Sequence, residues 1–123
     1  MNNDIKITID TNYVSDRSNP IQSYFLFSYS VHIENSSNDT IQLISRYWNI
    51  TDGSGLSEDI YGPGVVGKKP TLSPKDTFSY SSFCPLRTPM GSMRGSYRMV
   101  DKHGVEFDVE IRPFRFIASQ VLN

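Results

Sequence analysis

The feature that most constrains this sequence is an alternation of side chains with period two, which recurs along the chain. It is clearest between residues 22 and 34, where apolar side chains occupy every second position. The apolar face there carries Phe25, Phe27, Tyr29, Val31 and Ile33. Such a pattern is typical of a β-strand with one buried face. No segment of useful length has the 3.6-residue period of an amphipathic helix, so we expect an all-β chain without a helix longer than two turns.

Further strands are predicted by the same alternation and by the turn residues that separate them. They lie at residues 5–9, 40–51 and 76–83, followed by a hairpin formed by residues 92–100 and 105–111. Pro113 has no N–H to donate, so the last stretch, through Phe116, is expected to lie at a sheet edge or a bulge. About seven or eight short strands, with turns roughly every ten residues, predict an immunoglobulin-like antiparallel β-sandwich.

Composition narrows the class of protein. A chain of 123 residues is expected to form a single domain, residues 1–123, and its 12% aromatic content argues against disorder. The net charge is −1 with scattered Lys and Arg, so nucleic-acid binding is not expected. We expect neither a signal peptide nor a membrane span, because no uncharged apolar run approaches about 20 residues. A cytoplasmic location is therefore predicted, which agrees with a single cysteine, Cys84.

The segment "YGPGVVGKKP", residues 61–70, is the main candidate for a binding site. Gly62, Gly64 and Gly67 have the spacing of a dinucleotide-binding fingerprint, and Lys68 extends it toward a P-loop. Both motifs need a helix directly after the glycines, where free N–H groups face the phosphate. Here prolines follow instead, and Lys69 occupies the position of the magnesium-binding Ser or Thr, so both motifs are rejected.

Two interpretations of this loop stay open. A glycine-rich turn beside Lys68 could form a backbone nest that accepts an anion without a helix. Alternatively, the glycines supply positive φ angles or close packing in a long connection between strands, which we expect to run from residue 52 to residue 74. We favour the architectural interpretation.

The remaining reactive side chains do not form a convincing catalytic set. His32 and His103 are too far apart in sequence to suggest a zinc site, and no Ser-His-Asp arrangement can be defended. Asp52, Glu58 and Asp59 lack calcium-loop spacing, so a solvated loop is favoured over a cation site. Cys84 is expected to be a partly buried small hydrophobic residue rather than a nucleophile. We predict no catalytic residue, no metal site and no cofactor.

Several motifs together resemble those of the ApaG family. They are "SRYWNITDGSG" from Ser45, "GPGVVGKKPTLSP" from Gly62, "FSYSS" from Phe78, "TPMGSMRGSYRM" from Thr88 and "GVEFDVEI" from Gly104. They occur in the family's order over nearly the whole chain. Two positions depart from the family pattern: Lys75 replaces a common glycine, and the proline of "IRPF" is displaced by one residue. Both affect loop details rather than the fold.

The resemblance implies a fibronectin type III-like sandwich and a small bacterial cytoplasmic protein without an established enzymatic activity. It also implies a genetic link to cobalt resistance and magnesium efflux, and partner binding of the kind found in related eukaryotic domains. The family's glycines correspond to Gly62, Gly64 and Gly67, and its aromatic strand corresponds to Tyr47 and Trp48, a candidate aromatic surface. Trp48 alone would also suit a core position between two sheets.

Two functions from different classes follow. The first is a non-catalytic interaction module that binds an unidentified protein partner through a surface around the glycine-rich loop. The second is a binder of a small phosphorylated anion, pyrophosphate or a nucleotide, with or without a metal ion. A homodimer is also expected, because exposed strand edges invite pairing, and the first strand and the Pro113 segment are its candidate edges.

Overall fold

The computed structural model describes residues 4–119. Within that range the chain forms eight β-strands and two short 3₁₀ turns of three residues each. The strands are β1 (Ile5–Tyr13), β2 (Phe25–Asn35), β3 (Ile41–Asp52), β4 (Ser57–Pro63), β5 (Thr71–Leu72), β6 (Thr77–Leu86), β7 (Met90–Asp101) and β8 (Glu106–Ile117). The all-β prediction is confirmed.

The strands form two antiparallel sheets packed face to face. The three-stranded sheet has the order β1-β2-β6, and the five-stranded sheet has the order β4-β3-β7-β8 with β5 also paired to β3. Strands β4 and β5 pair with successive parts of β3, so they follow one another along the same edge. The predicted hairpin is formed by β7 and β8. The two-sheet antiparallel architecture is therefore confirmed, whereas the finer likeness to fibronectin type III stays a prediction.

The core lies between the sheets and is built from the alternating positions of the sequence. In β2 the predicted apolar face is buried throughout. In β7 the inward residues Met93, Tyr97 and Met99 are at most 2% exposed. Aromatic rings from both sheets meet in the centre, for example Phe27 of β2 and Phe116 of β8, whose ring centroids are 5.0 Å apart. Period-two alternation thus produced two apolar faces that bury one another.

The segment around Pro113 lies at a sheet edge and in a bulge, as expected from the sequence. Strand β8 is an outer strand, and its register with β7 shifts where Met93 pairs with Phe114 but Gly95 pairs with Ile111. Strand β8 therefore carries one residue more than β7 at this point, which is a β-bulge. Pro113 is one of the residues in the bulge. Strand β1 is likewise an outer strand, as expected.

One prediction was wrong. The connection expected to run without strands from residue 52 to residue 74 contains both β4 and β5. Strand β4 was missed because it is exposed almost throughout. Neither face is buried, so its sequence has no alternation of apolar and polar side chains that would predict a strand. Strand β5 was missed because it has only two residues.

No helix in the described part of the chain, residues 4–119, has the length and apolar character needed to cross a lipid bilayer.

Candidate functional site

The glycine-rich segment, residues 62–70, begins with the last two residues of β4 and is held against an irregularity in β3. Leu43 pairs with Met99 and Ser45 with Arg98, so Ile44 is an extra residue on β3. The Ile44 carbonyl accepts a hydrogen bond from the Gly64 N–H at 3.0 Å. The start of the loop is therefore fixed by a main-chain bond to the bulge in β3.

Side chains of β3 hold the loop at further points. The Nη1 group of Arg46 donates to the carbonyls of Pro63 and Gly64, each at 2.9 Å. The side-chain amide of Gln42 donates to the Lys69 carbonyl at 3.1 Å. Both side chains thus use loop carbonyls as acceptors, and the loop follows the surface of the sheet instead of extending into solvent.

The tip of the loop is a tight turn closed by two hydrogen bonds between Val65 and Lys68. The Val65 N–H donates to the Lys68 carbonyl at 2.8 Å, and the Lys68 N–H donates to the Val65 carbonyl at 2.9 Å. The two central residues, Val66 and Gly67, both have positive φ, at 43° and 78°. This is the backbone of a type I′ turn, in which a β-branched residue such as Val66 is strained.

The three glycines serve different purposes. Gly64 has a φ of 58°, and a Cβ at this position would lie 2.2 Å from the Lys68 carbonyl oxygen. Gly67 faces open space, and its positive φ alone disfavours another residue. Gly62 leaves room for Arg46, because a Cβ there would lie 2.8 Å from the Nη2 atom. Each glycine therefore has an architectural role that involves no ligand.

This geometry limits what the loop backbone can offer an anion. The N–H groups of Gly64, Val65 and Lys68 already donate to carbonyls of the protein. The next strand, Thr71–Leu72, follows the loop, so the motif lacks the helix that normally supplies the remaining donors. The side chains of Lys68 and Lys69 are exposed and remain the loop's positive groups.

Tyr47 belongs to a polar and aromatic cluster on the outer face of β3 and β4. Its ring packs against Tyr61, with 4.8 Å between the ring centroids. Its hydroxyl donates to Asp59 Oδ1 at 2.7 Å, and the Asn49 side-chain amide donates to the same oxygen at 3.0 Å. The hydrogen bonds from Asn49 and then Tyr47 lower the pKa of Asp59, and the bond to Asp59 raises the pKa of Tyr47.

Trp48 is not part of this surface, and the prediction of an aromatic surface was wrong for this residue. It is 3% exposed and makes edge-to-face contacts with Tyr29, Tyr97 and Phe114. Adjacent residues of a strand point to opposite faces, so Tyr47 and Trp48 cannot share one. The alternative interpretation, a core position between the sheets, is the one that the structure supports.

Residues that the sequence did not single out complete the surface. We use the name β4 strip for Leu56, Ile60, Tyr61 and Val66. Their exposed fractions are 70%, 37%, 75% and 52%, respectively. Ile60 and Tyr61 lie in β4, and Leu56 and Val66 lie in the turns before and after it, on the same edge of the sheet as the glycine loop. Tyr61 shares the outer face with Tyr47, whereas Ile60 lies on the opposite face, so the strip is defined by the edge and not by one face. No pattern in the sequence marks these residues as one group, because Glu58 and Asp59 separate Leu56 from Ile60 and Tyr61.

Two of the acidic residues considered for a cation site, Asp52 and Asp59, are engaged within the protein. Asp52 Oδ1 accepts hydrogen bonds from the N–H and hydroxyl of Ser54 and from the N–H of Leu56. These bonds, led by the Ser54 hydroxyl, lower the pKa of Asp52. Residues 4–119 contain no group of three or more His, Cys, Asp or Glu side chains arranged to hold a metal ion.

Cysteine and histidine chemistry is similarly restricted. Cys84 is 2% exposed, and burial raises its pKa to about 12, so the thiol stays protonated at neutral pH. His32 Nδ1 lies 2.6 Å from Ser79 Oγ, but both side chains are exposed on an open sheet face. His103 is exposed in the β7–β8 turn. None of these residues lines an enclosed reaction site.

Comparison with known proteins gives a consistent result. Residues 15–101 match the family model described as the ApaG domain. Protein ApaG of Methylocella silvestris is 50% identical over 111 residues, which cover 90% of this chain and 85% of that protein. Protein ApaG of Vibrio cholerae is 45% identical over 119 residues, covering 97% and 94%.

A solved structure shows the same fold. The crystal structure of a protein from Bordetella pertussis, there named ApaA, superposes with a TM-score of 0.91 at 42% sequence identity. The superposition covers 94% of each chain. The architecture described above is therefore shared with an experimentally determined relative.

Proposed function

The chain belongs to the ApaG domain family, and on that premise we propose that it is a non-catalytic module that binds a protein partner. The observation that carries the proposal is the β4 strip beside Tyr47 and the glycine loop. Four of the nine large hydrophobic side chains that are exposed among residues 4–119 lie at this one edge, and such a concentration of exposed apolar side chains is characteristic of interaction sites. Aromatic residues such as Tyr61 are also enriched among residues that dominate binding energy.

The rigidity of the surface supports the same conclusion. The loop is held by main-chain bonds to Ile44 and side-chain bonds from Arg46, and Tyr61 rests on the ring of Tyr47. A surface that is ordered before binding loses little conformational entropy when a partner docks. Cys84 is buried, and His32 and Ser79 lie on an open face of the sheet, which favours a non-catalytic role.

The test is partner capture with a matched pair of variants. Tyr61→Ser removes the aromatic ring of the β4 strip, and Val105→Ser removes an apolar side chain that is 56% exposed outside the strip. Tagged wild-type protein and both variants are used to recover partners from the native cell, and each recovered protein is then purified and titrated. The proposal expects a partner that binds wild type and Val105→Ser but loses about tenfold or more in affinity with Tyr61→Ser. Equal binding by all three proteins would contradict it.

The alternative function is binding of pyrophosphate or a nucleotide at the glycine loop. The observation in its favour is that Lys68 and Lys69 are exposed beside a turn whose central residues have positive φ. Isothermal titration with pyrophosphate and with ATP, each with and without magnesium, tests it. Saturable binding that is lost in Lys68→Ala would support the alternative, and the absence of heat would exclude it.

The family's link to cobalt resistance and magnesium efflux fits an indirect role. We propose that the protein acts in the cytoplasm and affects metal homeostasis through its partner. A strain lacking the protein, complemented with wild type or with Tyr61→Ser, is grown in increasing cobalt. The proposal expects wild type alone to restore resistance.

A further inference from the structure

Strand β4 extends beyond the area that the three-stranded sheet covers. Every residue from Ser57 to Pro63 is exposed except Gly62, which is half-buried. Ile60 pairs with Trp48 and shares its face of the sheet, yet it is 37% exposed whereas Trp48 is 3% exposed. The face of β4 that continues the core is therefore open to solvent, which is unusual for the inner side of a sandwich strand.

The outer edge of β4 has no neighbouring strand among residues 4–119. The hydrogen bonds at the two ends of β4 show which of its residues direct their backbone N–H and C=O groups toward this outer edge. The Asp52 N–H donates to the Leu56 carbonyl at 2.9 Å, and the Gly64 N–H donates to the Ile44 carbonyl at 3.0 Å. Alternate residues of a strand direct their backbone N–H and C=O groups to opposite sides, so in β4 these groups point toward β3 at even-numbered residues. The residues that direct N–H and C=O away from β3 are Ser57, Asp59 and Tyr61.

We propose that this edge pairs antiparallel with β4 of a second copy of the chain, about a twofold axis at Ile60. In this register Asp59 and Tyr61 of one copy exchange main-chain hydrogen bonds with Tyr61 and Asp59 of the other. The two Ile60 side chains face each other as a non-hydrogen-bonded pair. Two five-stranded sheets become one continuous sheet. The inference does not depend on the proposed function.

The charges of the edge favour a second copy in this register. The twofold axis at Ile60 places Asp59 opposite Tyr61 and Glu58 opposite Gly62, so no carboxylate faces another. An axis at Asp59 would place the two Asp59 carboxylates directly opposite, which is destabilising. The edge is therefore self-complementary at the Ile60 register.

The loop adds a second element of complementarity. Acidic residues Glu58 and Asp59 lie toward one end of β4, and Lys68 and Lys69 lie on the loop after the other end. Antiparallel pairing brings opposite ends of the two copies together. The acidic end of each β4 is thereby directed toward the basic loop of the other copy, whereas parallel pairing would bring like charges together.

The other expected edges are less suited to pairing. Strands β1 and β8 lie beside one another, and the Thr11 hydroxyl donates to the Arg115 carbonyl at 3.2 Å. The Pro113 bulge also interrupts the hydrogen-bonding edge of β8. The homodimer predicted from the sequence is thus reassigned from the first strand and the Pro113 segment to β4.

The first test measures association of the full chain by sedimentation velocity over a range of concentrations. Wild type is expected to show a monomer–dimer equilibrium. Ile60→Lys places two like charges at the twofold axis and is expected to raise the dimer dissociation constant about tenfold or more. The control is Val105→Lys, which adds the same charge at an apolar residue that is 56% exposed outside the β4 strip.

The second test fixes the register. Ile60→Cys is expected to form a disulfide-linked dimer under mild oxidation, because Cβ atoms of such a pair lie about 4.5–5.5 Å apart. The control is Leu56→Cys, whose exposed side chain lies far from its counterpart across the proposed axis. Cys84 is 2% exposed and is not expected to cross-link.

Each outcome decides the proposal. Wild type that stays monomeric at its highest soluble concentration overturns it, as does a dimer that Ile60→Lys and Val105→Lys weaken equally. Cross-linking by Leu56→Cys but not by Ile60→Cys overturns the register. Circular dichroism tests whether Ile60→Lys folds. If this variant does not fold, the cross-linking result for Ile60→Cys decides the proposal.

Discussion

The hydroxyl groups of Tyr80 and Tyr97 form a hydrogen bond that joins the two sheets inside the sandwich. Tyr80 belongs to β6 of the three-stranded sheet and Tyr97 to β7 of the five-stranded sheet. Tyr97 is fully buried and Tyr80 is 9% exposed. A buried hydroxyl that loses its partner is costly, so the pair links the relative position of the sheets to the stability of the fold.

Single removal of either hydroxyl is expected to destabilise the protein. Tyr97→Phe leaves the Tyr80 hydroxyl buried without its partner, at a cost of about 1–3 kcal/mol. The double variant with Tyr80→Phe is expected to lose less than the sum of the two single changes, since no orphaned hydroxyl remains. Urea unfolding measures all three, with Tyr61→Phe as an exposed control within about 0.5 kcal/mol of wild type. Strict additivity would show that the hydroxyls do not interact.

Alkaline pH is expected to destabilise the fold. Burial raises the pKa of Tyr80 from 10.0 to about 12 and that of Cys84 from 9.0 to about 12. Both groups must stay protonated in the folded state, whereas the unfolded chain releases these protons at its lower pKa values. Their stabilising contribution is therefore complete below about pH 9 and is lost as pH rises toward about 12.

Cys84→Ala provides the measurement for this pH dependence. The variant is expected to be less stable at every pH because it loses a buried side chain, but its free energy of unfolding should fall less steeply between about pH 8.5 and about pH 11. The slope, not the absolute stability, is the relevant result. Parallel curves for wild type and variant would mean that the thiol pKa is not raised by folding.

Substitution of the loop glycines is expected to destabilise the protein, whereas substitution of Lys68 is not. Gly64→Ala forces a Cβ toward the Lys68 carbonyl oxygen, which lies 2.2 Å from the Cβ position. Gly67→Val introduces a β-branched residue at positive φ and is expected to cost about 1–3 kcal/mol. Lys68→Ala should change stability by no more than about 0.5 kcal/mol. Thermal unfolding compares the three, and an unchanged melting temperature for both glycine variants would contradict an architectural loop.

Val66→Asn is expected to stabilise the protein while weakening partner binding. Asn tolerates the φ of 43° that strains a β-branched valine, so the gain should be up to about 1 kcal/mol. The same change removes an apolar side chain from the β4 strip. A higher melting temperature with reduced partner affinity would show that Val66 lowers the stability of the fold and contributes to partner binding. An unchanged or lower melting temperature would mean that the turn stores no strain at Val66.

The accuracy of the sequence-based expectations differed between elements for identifiable reasons. The faces of β2 and β7 could be predicted because the core is continuous beneath them. Strand β4 could not, because it lies beyond the opposite sheet and its residues meet solvent on both faces. The sequence drew attention to the glycine loop beside the proposed surface, but the apolar members of that surface, Leu56, Ile60 and Val66, had no local pattern to mark them.

The sequence by itself determined the all-β class, the faces of the strands over the core, the turns and the family, because alternation and turn chemistry act over a few neighbouring residues. Only the tertiary structure decided what distant residues do to one another. It brought the hydroxyl of Tyr80 to that of Tyr97 and the backbone of Gly64 close to the Lys68 carbonyl. It also buried Trp48 in the core while Tyr47 faces outward. These relationships depend on strand register and on how the two sheets pack, and neither is contained in the residue pattern of a single strand.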